Sequence, residues 1–477
     1  MRLTGHNGPV THVNLVLIGS GSGNSIIDER FAGKQVALID DGDPFGGTCL
    51  NKGCLPTKMY VHVADLAADI RDAPRLGLSA GEPRVSWQAV RDRIFGRTDG
   101  IAAAGEQHRA DQENVMLLRG RARFTGERAL RVECSDGASV DLTADAVVIA
   151  TGSHPAVPDI DGVDDPAVAP RLHTSDTIMR VDELPRSLVI LGGGVVAAEF
   201  AHIFSALGTR VTLVNRSDWL LRNEDTEIAE AFTNLLGRTI DVRLAETPTS
   251  IRAAGDNALE VRTRSSSGAE HTYQAELVLL ATGRTPSLDL GLDLAGVQLT
   301  DAGYIAVDRF QRTTAEGVFA LGDVSNPQQL KHAANQDARV VGHNLLHPDD
   351  MVESHHEPMP QAIFSNPQVA SVGSTEQALL AAGTAYDKGV ARYSGIGFGW
   401  ALEDTDHFMK VLVDPRSGHI LGGHIMGPQA STLIQPLVQA MAFGTPAREL
   451  ARGMYWIHPA LTELVENALL DAAPDPR

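Results

Sequence analysis

The sequence predicts an α/β protein built from two Rossmann-like dinucleotide-binding units followed by a C-terminal α+β domain. Three observations predict it. A short apolar strand near residues 13–18 runs straight into a glycine-rich turn and is followed by a second strand ending in an acid. The same pattern returns at residues 187–214. After about residue 350 the glycine-rich turns stop, and alternating strands with two helical patterns take their place. At 477 residues the chain is too long for a single core, so several domains are expected.

Composition narrows the function classes. With 43% hydrophobic and 21% charged residues the chain has an ordinary globular balance. No apolar run approaches the roughly 20 residues of a membrane span, and residues 1–12 lack the apolar centre of a secretory signal and read as a disordered lead. A net charge of −20 without a basic block argues against nucleic-acid and anionic-membrane partners. Three cysteines are too few for a disulfide framework. No second cysteine pair or histidine cluster of zinc spacing accompanies the first pair, so no metal site is expected, and His355-His356 reads as a solvated loop.

Taken in order, Val13–Ile18 is a buried strand feeding Gly19-Ser20-Gly21-Ser22-Gly23-Asn24, and Val36–Ile39 is the next, ending in Asp40. Such a turn aims backbone N–H groups at a pyrophosphate, and an acid some 20 residues on suits a ribose hydroxyl. Asn24 stands where a third glycine is usual, a departure that would loosen helix–strand packing while leaving the phosphate approach open.

Gly46-Gly47-Thr48-Cys49-Leu50-Asn51-Lys52-Gly53-Cys54-Leu55-Pro56-Thr57-Lys58 follows as the turn into a helical pattern. In an ideal helix residues five apart rise about 7.5 Å and point roughly 140° apart, whereas a disulfide needs Cα atoms roughly 4.4–6.8 Å apart. Cys49 and Cys54 therefore bridge only across an irregular first turn, which Gly53, by relaxing φ, and Pro56, by removing a donor, would supply. Spacing alone leaves open two buried thiols or a labile redox pair.

Helical patterns and alternating strands (129–134, 139–142) fill the next stretch, with Cys134 a packed or surface residue. A strand at 145–150 ends in Thr151-Gly152. The second nucleotide unit follows, Ser187–Leu191 leading into Gly192-Gly193-Gly194 and Glu199 on its helix, with Arg210–Val214 as the second strand. There Asn215 and Arg216 replace the usual acid, with Arg222 close by, and arginines at this point suit a 2′-phosphate. A strand at 275–280 ends in Ala281-Thr282-Gly283, and another at 317–322 delivers Asp323 at its carboxyl end. A helix opens near Lys331, its N-terminal dipole suited to a developing anion. In the last domain, helices are expected over Ser431–Phe443 and Thr462–Leu470, with His458 and Glu463 just ahead of and at the start of the latter.

Gly19/Gly21, Cys49–Cys54 with Lys58, Gly192/Gly194 with Glu199, Gly322-Asp323 and His458…Glu463, in that order, resemble the flavin-dependent pyridine-nucleotide disulfide oxidoreductases over about residues 13–470. The resemblance implies an FAD domain at 1–155 and 282–350, an NADPH domain at 156–281 and a C-terminal interface, or dimerisation, domain at 351–477. It implies FAD held by Gly19, Gly21, Gly23, Asp40, Gly47, Thr48, Thr151, Gly152 and Asp323, and NADPH held by Gly192, Gly194, Gly283, Arg216 and Arg222. Lys58 paired with Glu199 would lie beside the flavin, Cys54 would face it, and Cys49 would attack a low-molecular-weight disulfide. His458, oriented by Glu463, would complete the partner subunit's site in a cytoplasmic homodimer. Glutathione-type reduction and dihydrolipoamide oxidation remain open at this point. Two residues depart from the family pattern: Val195, where relatives carry an aromatic over the nicotinamide pocket, and Lys52, a cation between the cysteines that, if it points at the thiols, lowers their pKa.

Overall fold

The computed structural model describes residues 10–255 and 257–473; residues 1–9, most of the expected lead, lie outside the described residues. Thr11 and His12, also assigned to that lead, instead begin the first strand, Thr11–Ile18, where the His12 ring bonds Thr143 Oγ1 (3.0 Å) and the Asp145 carboxylate (3.2 Å). The chain divides into two compact units. One contains the chain up to Met59, Gln88–Ala156 and Arg284–His356; the other contains Tyr60–Trp87, Val157–Gly283 and Glu357–Arg477.

The first unit is organised on Thr11–Ile18, which lies parallel to Val36–Asp40 on one side and Ser139–Ile149 on the other. Val115–Gly126 and Val318–Ala320 extend the parallel sheet at its two sides. Strands buried on both faces read as continuous apolar runs, which is why they were visible in sequence. Ser139–Ile149 is one strand where the sequence suggested two, because its first half pairs antiparallel with Ala129–Cys134 and its second half pairs parallel with the first strand. No α-helix joins the first two strands. The connection is two 3₁₀ turns, Gly23–Ile26 and Glu29–Phe31, interrupted at Ile27 in extended backbone and restarted by Asp28, whose carboxylate accepts from Arg30 N.

The second unit contains a five-stranded parallel sheet in the order Asp241–Arg243, Arg210–Val214, Ser187–Leu191, Leu277–Leu280, Leu172–Thr174. Its glycine turn does open a full helix, Val195–Ala206. The expected strand at 275–280 is divided: Glu270–Ala275 pairs antiparallel with Leu259–Ser265, and Leu277–Leu280 joins the parallel sheet. Glu276 marks the switch, its carboxylate accepting from Arg186 N (2.7 Å) and its own N–H donating to Ser187 Oγ (3.1 Å).

The C-terminal part is a five-stranded antiparallel sheet, Pro360–Ile363, Val369–Gly373, Ile420–Met426, Phe408–Val413 and Asp387–Arg392 in spatial order. The expected Ser431–Phe443 helix is two, Ala430–Leu433 and Gln435–Phe443, with Pro436 in the first turn of the second, where its missing N–H costs nothing. A further helix, Ala447–Gly453, was not read from sequence, and Glu463–Ala472 closes the fold. Fully buried Lys410 donates to Asp225 (2.8 Å), Glu227 (3.1 Å) and Glu376. Among the described residues these carboxylates are the one group with metal-compatible spacing, and an ammonium already sits on all three.

Candidate active site

In the first unit the chain's own geometry separates two kinds of glycine. Gly19 has φ +107°, and a Cβ there would stand 2.3 Å from Ala150 O, so the turn itself demands glycine. Gly21 is different: a Cβ would meet nothing nearer than Gly47 Cα at 3.8 Å. Its bareness serves no packing need within the chain and suits a ligand's close approach. Gly23, not residue 24, makes the tight contact with the sheet, since its Cβ would fall 2.6 Å from Ala150 Cβ and 3.1 Å from Leu17 Cδ1. Asn24 therefore does not loosen the packing. Its Oδ1 and backbone O accept from Arg109 Nε and Nη2, both at 2.7 Å, which ties the turn to the Trp87–Ala110 helix.

Asp40 ends its strand buried, accepting from Ser20 N (3.0 Å) and Arg119 Nη1 (2.6 Å). Burial pushes its carboxyl up, and those two donors favour the charged form. Thr151 Oγ1 donates to Ser287 O (2.8 Å), and Gly152 turns the chain at φ +66°. Asp323 accepts from Ser153 Oγ (2.7 Å), which also accepts from Arg284 Nε (2.9 Å).

The cysteines stand at a break between two helices, Gly47–Asn51 and Cys54–Asp72. Lys52 closes the first helix through its N–H to Thr48 O (2.9 Å). Gly53 permits the break by its size and not by a left-handed φ, because a Cβ there would press on Thr48 O at 3.1 Å. Pro56 falls in the first turn of the second helix, where no N–H is needed. All three cysteines are thiols, and the Cys49 thiol hydrogen bonds with that of Cys54. That bond, together with burial, pushes Cys49 well above the ordinary thiol range. The nearby cation that draws it down is Lys331, where the sequence had pointed to Lys52.

Gly47, at φ +77°, lies directly on the glycine-rich turn: a Cβ would be 2.6 Å from Gly21 Cα and 3.2 Å from Gly21 N. Ser20 Oγ accepts from Gly46 N (2.7 Å) at the same junction. The segment that carries the two cysteines and the first glycine turn are thus one packed object. Two participants escaped the sequence reading. Asn51 is 1% exposed and donates to Pro44 O, Phe45 O and Gly47 O, leaving its Oδ1 buried without a hydrogen-bond partner. Lys331 Nζ donates to Ser22 Oγ (2.8 Å). A bare Gly21, an ammonium on the same turn and a buried acid at Asp40 fit an adenine dinucleotide's diphosphate and ribose.

The second unit repeats the arrangement. A Cβ on Gly192 (φ +132°) would meet Ala281 O at 2.2 Å, the counterpart of Gly19 against Ala150 O, while Gly194 faces open space. Gly283, at φ +125°, is likewise unobstructed. Asn215, in the usual acid position, is buried against Gly193 and donates to Ser217 O (3.1 Å) and Trp219 O (2.9 Å), so it shapes the loop. Arg216 and Arg222 on that loop are exposed with no ion-pair partner among the described residues, an arrangement open to a phosphate. Val195 opens the helix 42% exposed, and no aromatic stands at its position. Glu199, 9% exposed, accepts from Phe364 N (2.9 Å). Lys58 lies four residues past Cys54, one turn along the same helix.

His458 and Glu463 do meet: the ring Nδ1 is 2.8 Å from Glu463 Oε1, and Glu463 Oε2 accepts from Ala460 N (3.3 Å). Glu463 is the first residue of its helix, where the dipole favours a carboxylate. With Nδ1–H donated to Glu463, Nε2 is the ring's basic nitrogen. The ring is 74% exposed. His356 is not merely solvated, since it bonds fully buried Asp337 (2.7 Å), and this partner raises its pKa.

Residues 13–337 match the model of the pyridine nucleotide-disulphide oxidoreductases, and residues 359–469 match that family's dimerisation domain. The chain is 47% identical over 470 residues to mycothione reductase of Mycobacterium tuberculosis, covering 96% of this chain and 98% of that protein. It is 32% identical over 471 residues to dihydrolipoyl dehydrogenase of Haloferax volcanii, covering 96% and 97%. A solved structure of the HOCl-induced flavoprotein disulfide reductase RclA from Escherichia coli superposes with a TM-score of 0.83 at 25% identity, over 96% of this chain and 99% of that one. Among the described residues no helix is long and apolar enough to cross a membrane.

Proposed function

The chain belongs to the pyridine nucleotide-disulphide oxidoreductase family as a mycothione reductase-like flavoprotein disulfide reductase, and from that premise we propose that it uses NADPH to reduce mycothione to mycothiol. The observation that carries the reading is the Cys49–Cys54 dithiol at a helix break, pressed through Gly47 onto the first glycine-rich turn. On this reading residues 1–155 and 282–350 would carry FAD, 156–281 NADPH, and 351–477 dimerisation.

FAD, when bound, supplies the relay of two electrons from the nicotinamide to the cysteine pair. Gly19, Gly21, Gly23, Asp40, Gly47, Thr48, Thr151, Gly152 and Asp323 would hold it. Gly192, Gly194 and Gly283 would let NADPH approach the second unit. Arg216 and Arg222 would hold its 2′-phosphate, which supports NADPH over NADH where Asn215 replaces the acid. Lys58, one turn beyond Cys54, would lie beside the flavin.

The chain's own residues then act in sequence. Cys49 as thiolate attacks one sulfur of the substrate disulfide, forming a mixed disulfide and releasing the first thiol. Cys54 as thiolate attacks Cys49 Sγ, releasing the second thiol and closing the Cys49–Cys54 disulfide. The dithiol is oxidised by two electrons and the substrate reduced by two. Because Cys54 and burial hold the Cys49 thiol up, it needs a base. His458 Nε2 is suited to take that proton and return it to the leaving thiolate, with Glu463 on Nδ1 stabilising the charged ring. In the homodimer this His–Glu pair completes the partner subunit's site, and the enzyme works in the cytoplasm.

Rates with mycothione, glutathione disulfide and lipoamide, each with NADPH and with NADH, test the reading. It expects mycothione with NADPH to exceed every other pair by at least tenfold in kcat/KM. A preference for NADH with lipoamide overturns it in favour of the dihydrolipoyl dehydrogenase reading.

A further inference from the structure

Arg222 sits at the tip of the loop between the strand Arg210–Val214 and the helix Thr226–Leu236, and the residues on either side of it are tied down. Arg222 and Asn223 are exposed, while Leu220 and Leu221 before them and Glu224 and Asp225 after them are buried. On the near side Leu221 N donates to Gly193 O at 2.7 Å, which fixes the loop on the second glycine turn. Leu221 itself holds φ +52° in a buried position, a left-handed conformation that a leucine rarely adopts. Such a conformation persists where its surroundings over-determine it, and it is a feature of ligand clamps.

On the far side the bonds come from the C-terminal part of the chain. Gln361 Nε2 donates to Glu224 Oε1 (2.6 Å), and Gln377 Nε2 donates to Glu224 O (2.9 Å). Asp225 accepts from Glu376 N (2.9 Å) and from Lys410 Nζ (2.8 Å), and both the acid and the ammonium are fully buried. A buried ion pair adds little net stability, because desolvating the two charges offsets most of their attraction. What its directional bonds do supply is one fixed arrangement. Asp225 stands three residues after Arg222, so Lys410, 185 residues away in sequence, fixes how that guanidinium is presented.

We propose that the Lys410–Asp225 pair is a positioning clamp for the 2′-phosphate loop: by fixing Asp225 on the C-terminal sheet it holds Leu221 strained and Arg222 in place, and so sets the preference for NADPH over NADH. This rests on the reading of Arg222 as a 2′-phosphate ligand and is independent of which disulfide is reduced. Both members of the pair are fully buried, so they act through Arg222 and not by touching the nucleotide. The glycine turn that NADPH and NADH share is held separately, Gly192 N donating to Val214 O (2.9 Å).

The test is reduction of the FAD-loaded enzyme by NADPH and by NADH, followed anaerobically through flavin absorbance with no disulfide present. It gives a half-saturating concentration for each nucleotide. Asp225→Asn with Lys410→Met removes both charges; Asn keeps a cap for Glu227 N, and Lys388 remains on Glu227 and Glu376. The paired variant is expected to need roughly tenfold more NADPH, with NADH within about twofold of native. Adding Arg222→Ala to it is expected to give the same NADPH loss as Arg222→Ala alone, because the clamp acts through that side chain. If the paired variant does not fold, Gln377→Ala, at an exposed position, is measured in its place, with a loss of about threefold or more expected for NADPH only. An NADPH requirement within about twofold of native, an equal loss with both nucleotides, or losses that multiply with that of Arg222→Ala overturn the proposal. Arg222→Ala by itself tests the reading underneath. A loss selective for NADPH keeps the 2′-phosphate assignment even where the clamp fails, and an equal loss with both nucleotides removes the assignment.

Discussion

Replacing Gly47 with alanine should break the junction that couples the cysteine pair to the first glycine-rich turn. Two costs add at this position. Its φ of +77° is left-handed, which costs an L-residue about 1–2 kcal/mol. The new Cβ would also stand 2.6 Å from Gly21 Cα and 3.2 Å from Gly21 N, both backbone atoms that cannot swing aside. Relieving that overlap needs a backbone shift on the order of 1 Å, and forced shifts of this kind cost about 1–3 kcal/mol. The sum is about 2–5 kcal/mol. Gly137→Ala is the matched control, with φ +89° and nothing within 4 Å of the added Cβ, so only the left-handed strain applies. Urea unfolding of both variants gives the difference between them, expected at about 1–3 kcal/mol, and FAD release should accelerate only in Gly47→Ala. Equal destabilisation by the two, with FAD release unchanged, would refute the packed junction.

Three further outcomes follow from the site and its surroundings. Glu463→Gln keeps a hydrogen-bonding group near His458 Nδ1 but removes the charge; stopped-flow should show disulfide reduction slowed roughly tenfold with reduction of the enzyme by NADPH unchanged, and slowing of both steps would contradict the assigned role. Arg216→Ala with Arg222→Ala should lower kcat/KM for NADPH by roughly 10–100-fold and leave NADH unaffected, whereas an equal loss with both nucleotides would remove the 2′-phosphate assignment. Glu224, 4% exposed, has its carboxyl pushed up to about 7 by burial. The folded state therefore keeps a proton that the unfolded chain releases near its ordinary pKa, and stability falls as pH rises from about 4.5 through 7, by at most about 3 kcal/mol. Urea midpoints at pH 5 and pH 8 should converge in Glu224→Gln, and a slope equal to the native one would contradict this.

The parts legible in sequence were those with a local signal. Apolar runs closing on glycine turns located the parallel strands, and the return of that pattern disclosed the second nucleotide unit. His458 and Glu463 are five residues apart, so chain proximity alone made their meeting plausible, and the structure brings them to 2.8 Å. What sequence could not supply was contact at a distance. Gly47 needs to be glycine because of Gly21, 26 residues earlier, and nothing local distinguishes it from an ordinary turn glycine. Asn24 departs from the glycine spacing of a turn that opens an α-helix, and the chain instead makes 3₁₀ turns in which Gly23 takes the close contact and Asn24 holds Arg109. Lys331 was visible only as a helix start, its anchor lying 309 residues away at Ser22.

The central claim is that Cys49 and Cys54 form the couple that passes electrons to mycothione. Anaerobic titration of the flavin-loaded protein with NADPH, followed by mycothione, tests it most directly. A long-wavelength absorbance band is expected on reduction, absent in Cys54→Ser, that mycothione discharges within the turnover time. No band in flavin-loaded native protein, or a band that mycothione leaves untouched while another disulfide discharges it, would contradict the claim.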